Sequence, residues 1–519
     1  MATVGKNILD NLTTGMYSDS KVIYREYIQN ACDQIDKAVE GGLLSSRREG
    51  SVEIYIDEKK RCISIRDNAT GVPRESFRSD LGDIANSNKR LGVDKGFRGI
   101  GRLCGLAYCK TLKFTASAKG ESSKSIMICN AQKMRAMLVE PKKYTLDEIW
   151  DAIIEYDDSQ PESIDAHYFE VELIEINREN TDLLDAKKVR DYLSFVAPVP
   201  YKNTFILRTQ IYDHAKEVGY CIEEYAISVN GAPVFKEYTT RLKEPSGNSL
   251  KNYDEISELE FKDFYAEDGS FIAWMWIGLS RFEKQIPKVN NMRGLRVRTS
   301  NIQVGDDDAL STLFKEGRGN YYFVGEVFCV SSGLIPNSQR NYYQENETRV
   351  EFEDVLRAYF YDVLHKLYYD ANRIKNDYRK QEEYIAKTEE YQEKSRLNSF
   401  VDEEDRQKLL FEIEEKKKTA QAARKRLEKL DDCDEASPLS KVKKSIGKKY
   451  DADTLKRRAE VTDVSDTTSV KKTVYVAATM SKLSRSERKI VSRILAVVTD
   501  VAPQDVAEEI INRIREELR

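Results

Sequence analysis

Histidine is scarce, and long apolar runs are missing altogether. The 519 residues hold three histidines, His167, His214 and His365, far apart in the chain. A histidine metal cluster is therefore not expected. No stretch approaches the roughly 18 consecutive apolar residues that a membrane span needs. The opening "MATVGKNILDNLTTGMYS" lacks a basic segment followed by an apolar one, so no secretion signal is read there. The eight cysteines form no CxxC pair. With no signal they read as free thiols in a reducing cytoplasm, not as a disulfide framework or a zinc site. The net charge of -5 neither demands nor excludes a nucleic-acid partner. No internal repeat is found.

What is present suits a soluble globular chain with a highly charged portion: 40% hydrophobic and 33% charged residues, with a length that suggests about three domains. The expected class is α+β. Residues 1–200 alternate helix and strand patterns. "SVEIYID" (51–57) and "CISIRDN" (62–68) read as strands, and "TLKFTASAKG" with "SIMICN" reads as a hairpin. From 201 to 350 longer β segments are expected, among them "NTFILRTQIY", "YAISVNGAPVF", "FIAWMWIGLS", "GLRVRTSNIQVG" and "YYFVGEVFCVSS". Residues 351–431 read as a long helical hairpin or coiled coil. Phe352, Val355, Leu356, Tyr359, Phe360, Val363, Leu364 and Leu367 form one stripe, and Asp402 is a helix cap after a break. Residues 432–480 read as a polar linker. Residues 481–519 read as amphipathic helix opened by a capping box, Ser484 and Glu487.

"REYIQNACDQID" (25–36) carries two stripes on one helix. Tyr27, Ala31, Ile35 and Ala38 make an apolar face. Glu26, Asn30 and Asp33 make a polar one beside it. "IRDNATGV" (65–72) follows, with Asp67 at a strand end and Gly71 four residues on. An aspartate there can accept from an exocyclic amine, and the glycine lets backbone approach a flat ring. In "GFRGIGRLCGLA" (96–107), Gly96, Gly99 and Gly101 precede a helical stretch, where backbone N–H groups can face phosphates.

These three motifs, in this order, resemble the nucleotide site of the GHKL ATPases: gyrase, the ninety-kilodalton heat-shock chaperones, histidine kinases and MutL-type proteins. The resemblance implies a Bergerat-type α/β sandwich at 1–200, a middle or transducer domain at 201–350, and ATP with Mg²⁺ as the bound groups. It implies that Glu26 is the general base, that Asn30 ligates the metal about 6 Å away on the same face, that Asp33 supports the site, and that Asp67 reads the adenine amine. It places Gly71, Val72, Ser87, Lys89, Gly96, Phe97, Arg98, Gly99, Ile100 and Gly101 around the nucleotide. "DLGDIANSNK" (80–89) resembles the lid entry of the heat-shock chaperones. "VSSGLIPNSQRNYYQ" (330–344) is similar to their middle-domain loop, which makes Arg340, with Asn337, the cation that reaches the γ-phosphate. The chain departs from the pattern at Ala69, where the family has glycine, at Phe169, which takes the late-strand threonine slot, and in a short lid between Lys89 and Gly96.

The expected function is an ATP-gated homodimeric clamp in the cytoplasm, with no membrane partner. Two outputs compete: a chaperone-like action on a client protein, and a MORC- or MutL-like action on DNA, as in prokaryotic phage defence. A nucleotide-binding scaffold with little turnover is a third reading. A histidine kinase ranks last, because His365 follows the ATPase region instead of preceding it. The bland alternatives are a solvated face for Glu26 and Asn30, an ordinary turn for the glycines, and a surface arginine at 340. The basic runs "KVKKSIGKK" and "KRR" (456–458) would, on the same footing, be a solvated linker.

Overall fold

The computed structural model describes residues 5, 6, 9, 19–83, 101–431, 434–464, 475, 477–480 and 482–519. They form two compact units, one of residues 1–278 with 284–365, the other of 279–283 with 366–519. The protein is mixed α+β, with sheets in the first unit and a helical C-terminal region.

The first unit opens with α1 (Val22–Glu40), β1 (Ser51–Asp57), β2 (Cys62–Asp67) and α2 (Arg74–Gly82). A 3-10 turn at Gly101–Ala107 leads to β3 (Cys109–Ser117) and β4 (Ser123–Asn130). Then come α3 (Ala131–Val139), α4 (Leu146–Ile153), β5 (Ile154–Pro161), β6 (Tyr168–Ile176) and α5 (Ala186–Val196). The strand pattern of 51–67 is explained by alternation: Val52, Ile54 and Ile56 point inward while Glu53 and Tyr55 point to solvent. The eight-stranded sheet runs β5-β4-β3-β6-β2-β1-β7-β8, where β7 (Ala226–Val229) joins β1 in parallel and β8 (Ala232–Pro233) closes the edge. The sheet thus takes two strands from beyond residue 200. One core joins α1 to this sheet through residues such as Tyr24, Ile28, Ile35, Ile65, Phe77 and Leu173.

One expectation fails between the sheets. "NTFILRTQIY" is not β: residues 203–207 form a turn and α6 covers Arg208–Glu217. Its β-branched and aromatic residues suggested a strand, but Ile211 and Ala215, one helical turn apart, both pack into the second core. Tertiary burial overrides local propensity there. After a two-stranded ribbon, β9 (Arg241–Ser246) and β10 (Ser249–Glu255), a five-stranded sheet follows. It comprises β11 (Glu258–Tyr265), β12 (Phe271–Leu279), β13 (Gly294–Thr299), β14 (Ile302–Val304) and β15 (Val324–Cys329), in the order β11-β12-β15-β13-β14.

A charged cluster lies fully buried against this sheet. Glu326 on β15 accepts from Lys236 Nζ (3.1 Å), Tyr238 Oη (3.0 Å), Tyr201 and Arg298. Arg298 also donates to the carbonyls of Asn301 (2.9 Å) and Phe195 (2.8 Å), and Lys236 to Asn301 Oδ1 (2.7 Å). Every member has a partner, the condition under which buried charge is tolerated. Burial alone would raise the Glu326 carboxyl, but Arg298 and Lys236 hold it down at about 2.

α7 (Glu347–Tyr359) and a π-turn (Phe360–Leu364) complete the unit, burying Phe352, Leu356, Phe360 and Leu364 of the expected stripe. The helical unit contains α8 (His365–Arg396) and α9 (Glu403–Lys429), the second capped by Asp402, which accepts from Asp405 N–H at 2.8 Å. The linker expected at 432–480 is corrected in part. Residues 438–464 are helical, as α10 (Pro438–Lys449) and α11 (Ala452–Val464). Ser437 caps α10, Pro438 takes its first turn, and Val442, Ile446 and Leu455 are buried. Their high lysine content hid this sparse apolar spacing. α12 (Arg485–Val501) starts with the capping box of Ser484 and Glu487, and α13 (Gln504–Leu518) ends the chain. No helix among the described residues is long and apolar enough to cross a membrane.

Candidate active site

α1 presents both of its stripes to protein. Tyr27, Ala31, Ile35 and Ala38 are buried, joined by Ile23, Tyr24, Ile28 and Cys32. Glu26 is only 8% exposed, Asp33 is buried too, and Asn30 is half-buried. A carboxylate pair taken out of water on one helix face is not a solvated surface. Arg25 braces Glu26, with Nε and Nη2 each 3.4 Å from Glu26 Oε1. Its Nη2 also donates to the Gln339 carbonyl at 3.2 Å.

The turn at 101–107 is held on α1 by Tyr27. Its hydroxyl donates to the Arg102 carbonyl (3.0 Å) and accepts from Gly105 N–H (3.1 Å). Gly101 lies directly against the catalytic candidate: a Cβ at 101 would be 2.7 Å from Glu26 Oε2. Burial, then the nearby Glu26 charge, pushes the Cys104 thiol far up, so it stays protonated.

Asp67 ends β2 and is buried. Its carboxylate accepts from Ala69 N–H at 3.0 Å and from the backbone N–H of Phe169, its cross-strand partner on β6. Burial pushes Asp67 up to about 7 in spite of these bonds and of Arg66. Phe169 therefore serves the site by its main chain, while its ring stacks on Phe114 with centroids 6.0 Å apart. Ala69 is fully buried and its carbonyl meets His167 Nδ1 at 2.8 Å. Thr70 Oγ1 donates to Gln34 on α1 (2.9 Å), tying the turn to the helix. Gly71 is required by the strand beside it. Its φ is +63°, and a Cβ would lie 1.9 Å from the Ser117 carbonyl oxygen, so the close approach is to a neighbouring strand. Val72 is half-buried against the core.

The downstream loop also comes to α1. Pro336 and Tyr343 bridge across it, Asn337 N–H donates to the Tyr342 carbonyl (2.9 Å), and Arg340 N–H donates to Asn337 O (3.1 Å). Arg340 is buried with φ +53°, an uncommon conformation for a non-glycine residue, and its carbonyl accepts from Gly305 N–H at 2.8 Å. The structure thus brings Gln339, next to Arg340, onto Arg25, next to Glu26. Ser87, Lys89, Gly96, Phe97, Arg98, Gly99 and Ile100 lie outside the described residues.

The residues present suit a purine nucleotide with a divalent cation. Asp67 is a buried acceptor for an amine, and Glu26 and Asp33 line one helix face. Gln29, between them, is buried with both amide atoms unpartnered, which asks for a water or a ligand group. No cluster of three His, Cys, Asp or Glu side chains suited to a metal exists among the described residues. The cation would therefore take Asn30 and otherwise phosphate and water oxygens, the usual habit of Mg²⁺. The sequence reading missed Arg25, Gln29 and His167 as parts of the site and took Tyr27 only for the apolar face; the partners of Arg25 and His167 lie 314 and 98 positions away.

Residues 17–158 match the family described as histidine kinase-, DNA gyrase B-, and HSP90-like ATPase. Among curated relatives, the chaperone protein HtpG of Photorhabdus laumondii is 33% identical over 94 residues, 17% of this chain and 15% of that protein. HtpG of Chlorobium phaeovibrioides is 29% identical over 87 residues (16% and 14%). The mitochondrial heat shock protein 75 kDa of Bos taurus is 32% identical over 91 residues (17% and 13%). The matched stretch thus spans about one seventh of each relative's length. Residues 17–158 are thus similar in sequence to the GHKL ATPase domain, with relatives of the heat-shock type among the matches.

Proposed function

We propose that this protein is a Mg²⁺-dependent ATPase working as an ATP-gated homodimeric clamp in the cytoplasm. The observation that carries the reading is the buried Glu26, packed on Gly101 and bridged through Arg25 to the loop of Arg340. Glu26 accepts a proton from the attacking water. Asn30 would hold the metal, whose charge would offset that of the phosphates, and Asp33 orders the same face. Asp67 accepts from the adenine amine. Arg340 supplies positive charge where it builds on phosphate oxygens. Closure is a population shift biased by the nucleotide's contacts with both sheets of the first unit.

The test is ATP turnover and nucleotide binding measured together for wild type and Glu26→Ala. Turnover should fall by about a hundredfold or more with binding kept, the scale of a lost general base. A variant as active as wild type removes Glu26 from its role. Loss of binding along with turnover would instead make Glu26 structural.

The client is the finer question. One observation favours nucleic acid: Lys444, Lys448, Lys456 and Arg457 on α10 and α11 are exposed and form no ion pair among the described residues. Their neighbours Lys443, Lys449 and Arg458 are paired with Asp431, Glu283 and Glu389. Duplex DNA binding that weakens steeply between 50 and 200 mM salt supports that output, and absence of binding at low salt leaves the protein-client reading.

A further inference from the structure

The first unit has a second cleft, lined from three places in the chain. α6 supplies Arg208, Tyr212, Ala215 and Lys216, the segment after it supplies residues 219–222 and Glu224, and Arg48 comes from the loop before β1. Pro200, Tyr201 and Asn203 complete the wall. The volume is about 680 Å³, within the range of small-molecule sites. No residue of the nucleotide motifs lines it. Residues 208, 212, 215 and 216 recur at i, i+4, i+7 and i+8 and share one face of α6, while Asp213 and Glu217 fall on the opposite face. The face that meets the cleft is thus cationic and aromatic. Arg208 is anchored by Nη1, which donates to the carbonyls of Asn203 (2.8 Å) and Phe205 (3.3 Å). Its Nε and Nη2 make no hydrogen bond or ion pair among the described residues, and neither do the exposed side chains of Arg48 and Lys216. The rings are braced. Tyr201 meets Tyr212 edge to face with centroids 5.8 Å apart, and Tyr220 leans on Trp274 and Phe328, each at 5.8 Å. Glu224 is the one carboxylate of the described lining. Its Oε1 accepts from Tyr212 Oη at 2.6 Å, and its Oε2 has no partner among the described residues.

We propose that this cleft binds a free nucleoside phosphate, at a site separate from the one assigned to ATP on α1. Three cations without a carboxylate partner line one open space, and an anion set among them offsets their mutual repulsion. The free edge of the Arg208 guanidinium matches phosphate oxygens in shape and charge. The braced tyrosines offer a flat base something to stack on without loss of their own freedom. Glu224 Oε2 accepts from a hydroxyl or an amine of the same ligand. Inorganic phosphate would meet the cations and leave the rings and Glu224 unused. Phosphate, flat ring and donor are therefore sought in one molecule. The proposal does not depend on the chemistry assigned to Glu26.

The test is equilibrium dialysis of the full chain against AMP, GMP, CMP and UMP, with inorganic phosphate as the comparison. At least one nucleotide should bind saturably and more tightly than phosphate. Arg208→Ala should weaken that binding by about tenfold or more, the scale of a lost hydrogen bond to a charged group. Lys216→Ala, at an exposed position where the fold loses no contact, should weaken it in the same direction. Asp67→Asn, in the α1 site, should leave it unchanged. The location is read at Cys221, an exposed thiol of the cleft: the bound nucleotide should slow its alkylation by a maleimide, followed by peptide mass. Absence of binding by all four nucleotides at millimolar concentration overturns the proposal, and so does phosphate binding as tight as any of them. Binding lost in Asp67→Asn but kept in both cleft variants assigns it to the α1 site and overturns the cleft. ATP turnover of wild type and Glu26→Ala stays the separate measure of the α1 chemistry.

Discussion

At Gly71 a methyl group would collide with main chain. Neither the Ser117 carbonyl at 1.9 Å nor the Tyr168 carbonyl at 3.0 Å is free to move, because both belong to paired strands. Gly71→Ala should therefore destabilise the protein by about 2 kcal/mol or more, the scale of left-handed strain with added clash, read as a lower denaturation midpoint. Asp67 gives a pH signature. Its folded pKa, about 7, lies above its ordinary value. Its contribution to stability is thus fully present below the unfolded pKa and is lost as pH rises to about 7. Asp67→Asn should flatten that part of the stability profile. An amine donor favours the ionised carboxylate, so affinity for ATP should rise between pH 6 and 8, measured by titration calorimetry, and Asp67→Asn should remove the rise.

Elements explain what a sequence shows and what it hides. α1, β1 and β2 were legible because each keeps one period, 3.6 or 2, with its apolar residues on one face. The acid and amide of α1, Asp67 and the glycines were legible because each motif is local. Arg25 meets Gln339 across 314 positions and His167 meets Ala69 across 98, and no short pattern encodes such meetings. α6 and α10 were misread where one or two buried residues per turn decide the outcome against composition. The 3-10 turn at 101–107 buries Leu103, Cys104 and Leu106 in the core, and the Tyr27 hydroxyl ties it to α1. Tyr27→Phe leaves Gly105 N–H and the Arg102 carbonyl without it, costing about 1–3 kcal/mol. Because Gly101 backs the Glu26 carboxylate, kcat should fall more than nucleotide affinity, which steady-state kinetics and a binding titration separate.

Across the first unit, the buried charges around Glu326 join segments far apart in the chain: 195–201, 236–238, 298–301 and β15. Glu326→Gln leaves Arg298 and Lys236 without their anion. It should cost about 3–5 kcal/mol in equilibrium denaturation at neutral pH. The folded pKa of Glu326 is depressed, so its stabilisation holds above the unfolded value near 4.5 and is lost as pH falls towards about 2. Wild type should show that acid sensitivity and Glu326→Gln should lack it.

The parallel pairing of β7 on β1 has a last consequence. A fragment trimmed at residue 200 would keep the nucleotide motifs but strip the flank of β1, baring unsatisfied main-chain groups of the kind that recruit foreign strands. Autonomy of the ATP-binding half therefore begins only after residue 233, and shorter pieces invite aggregation.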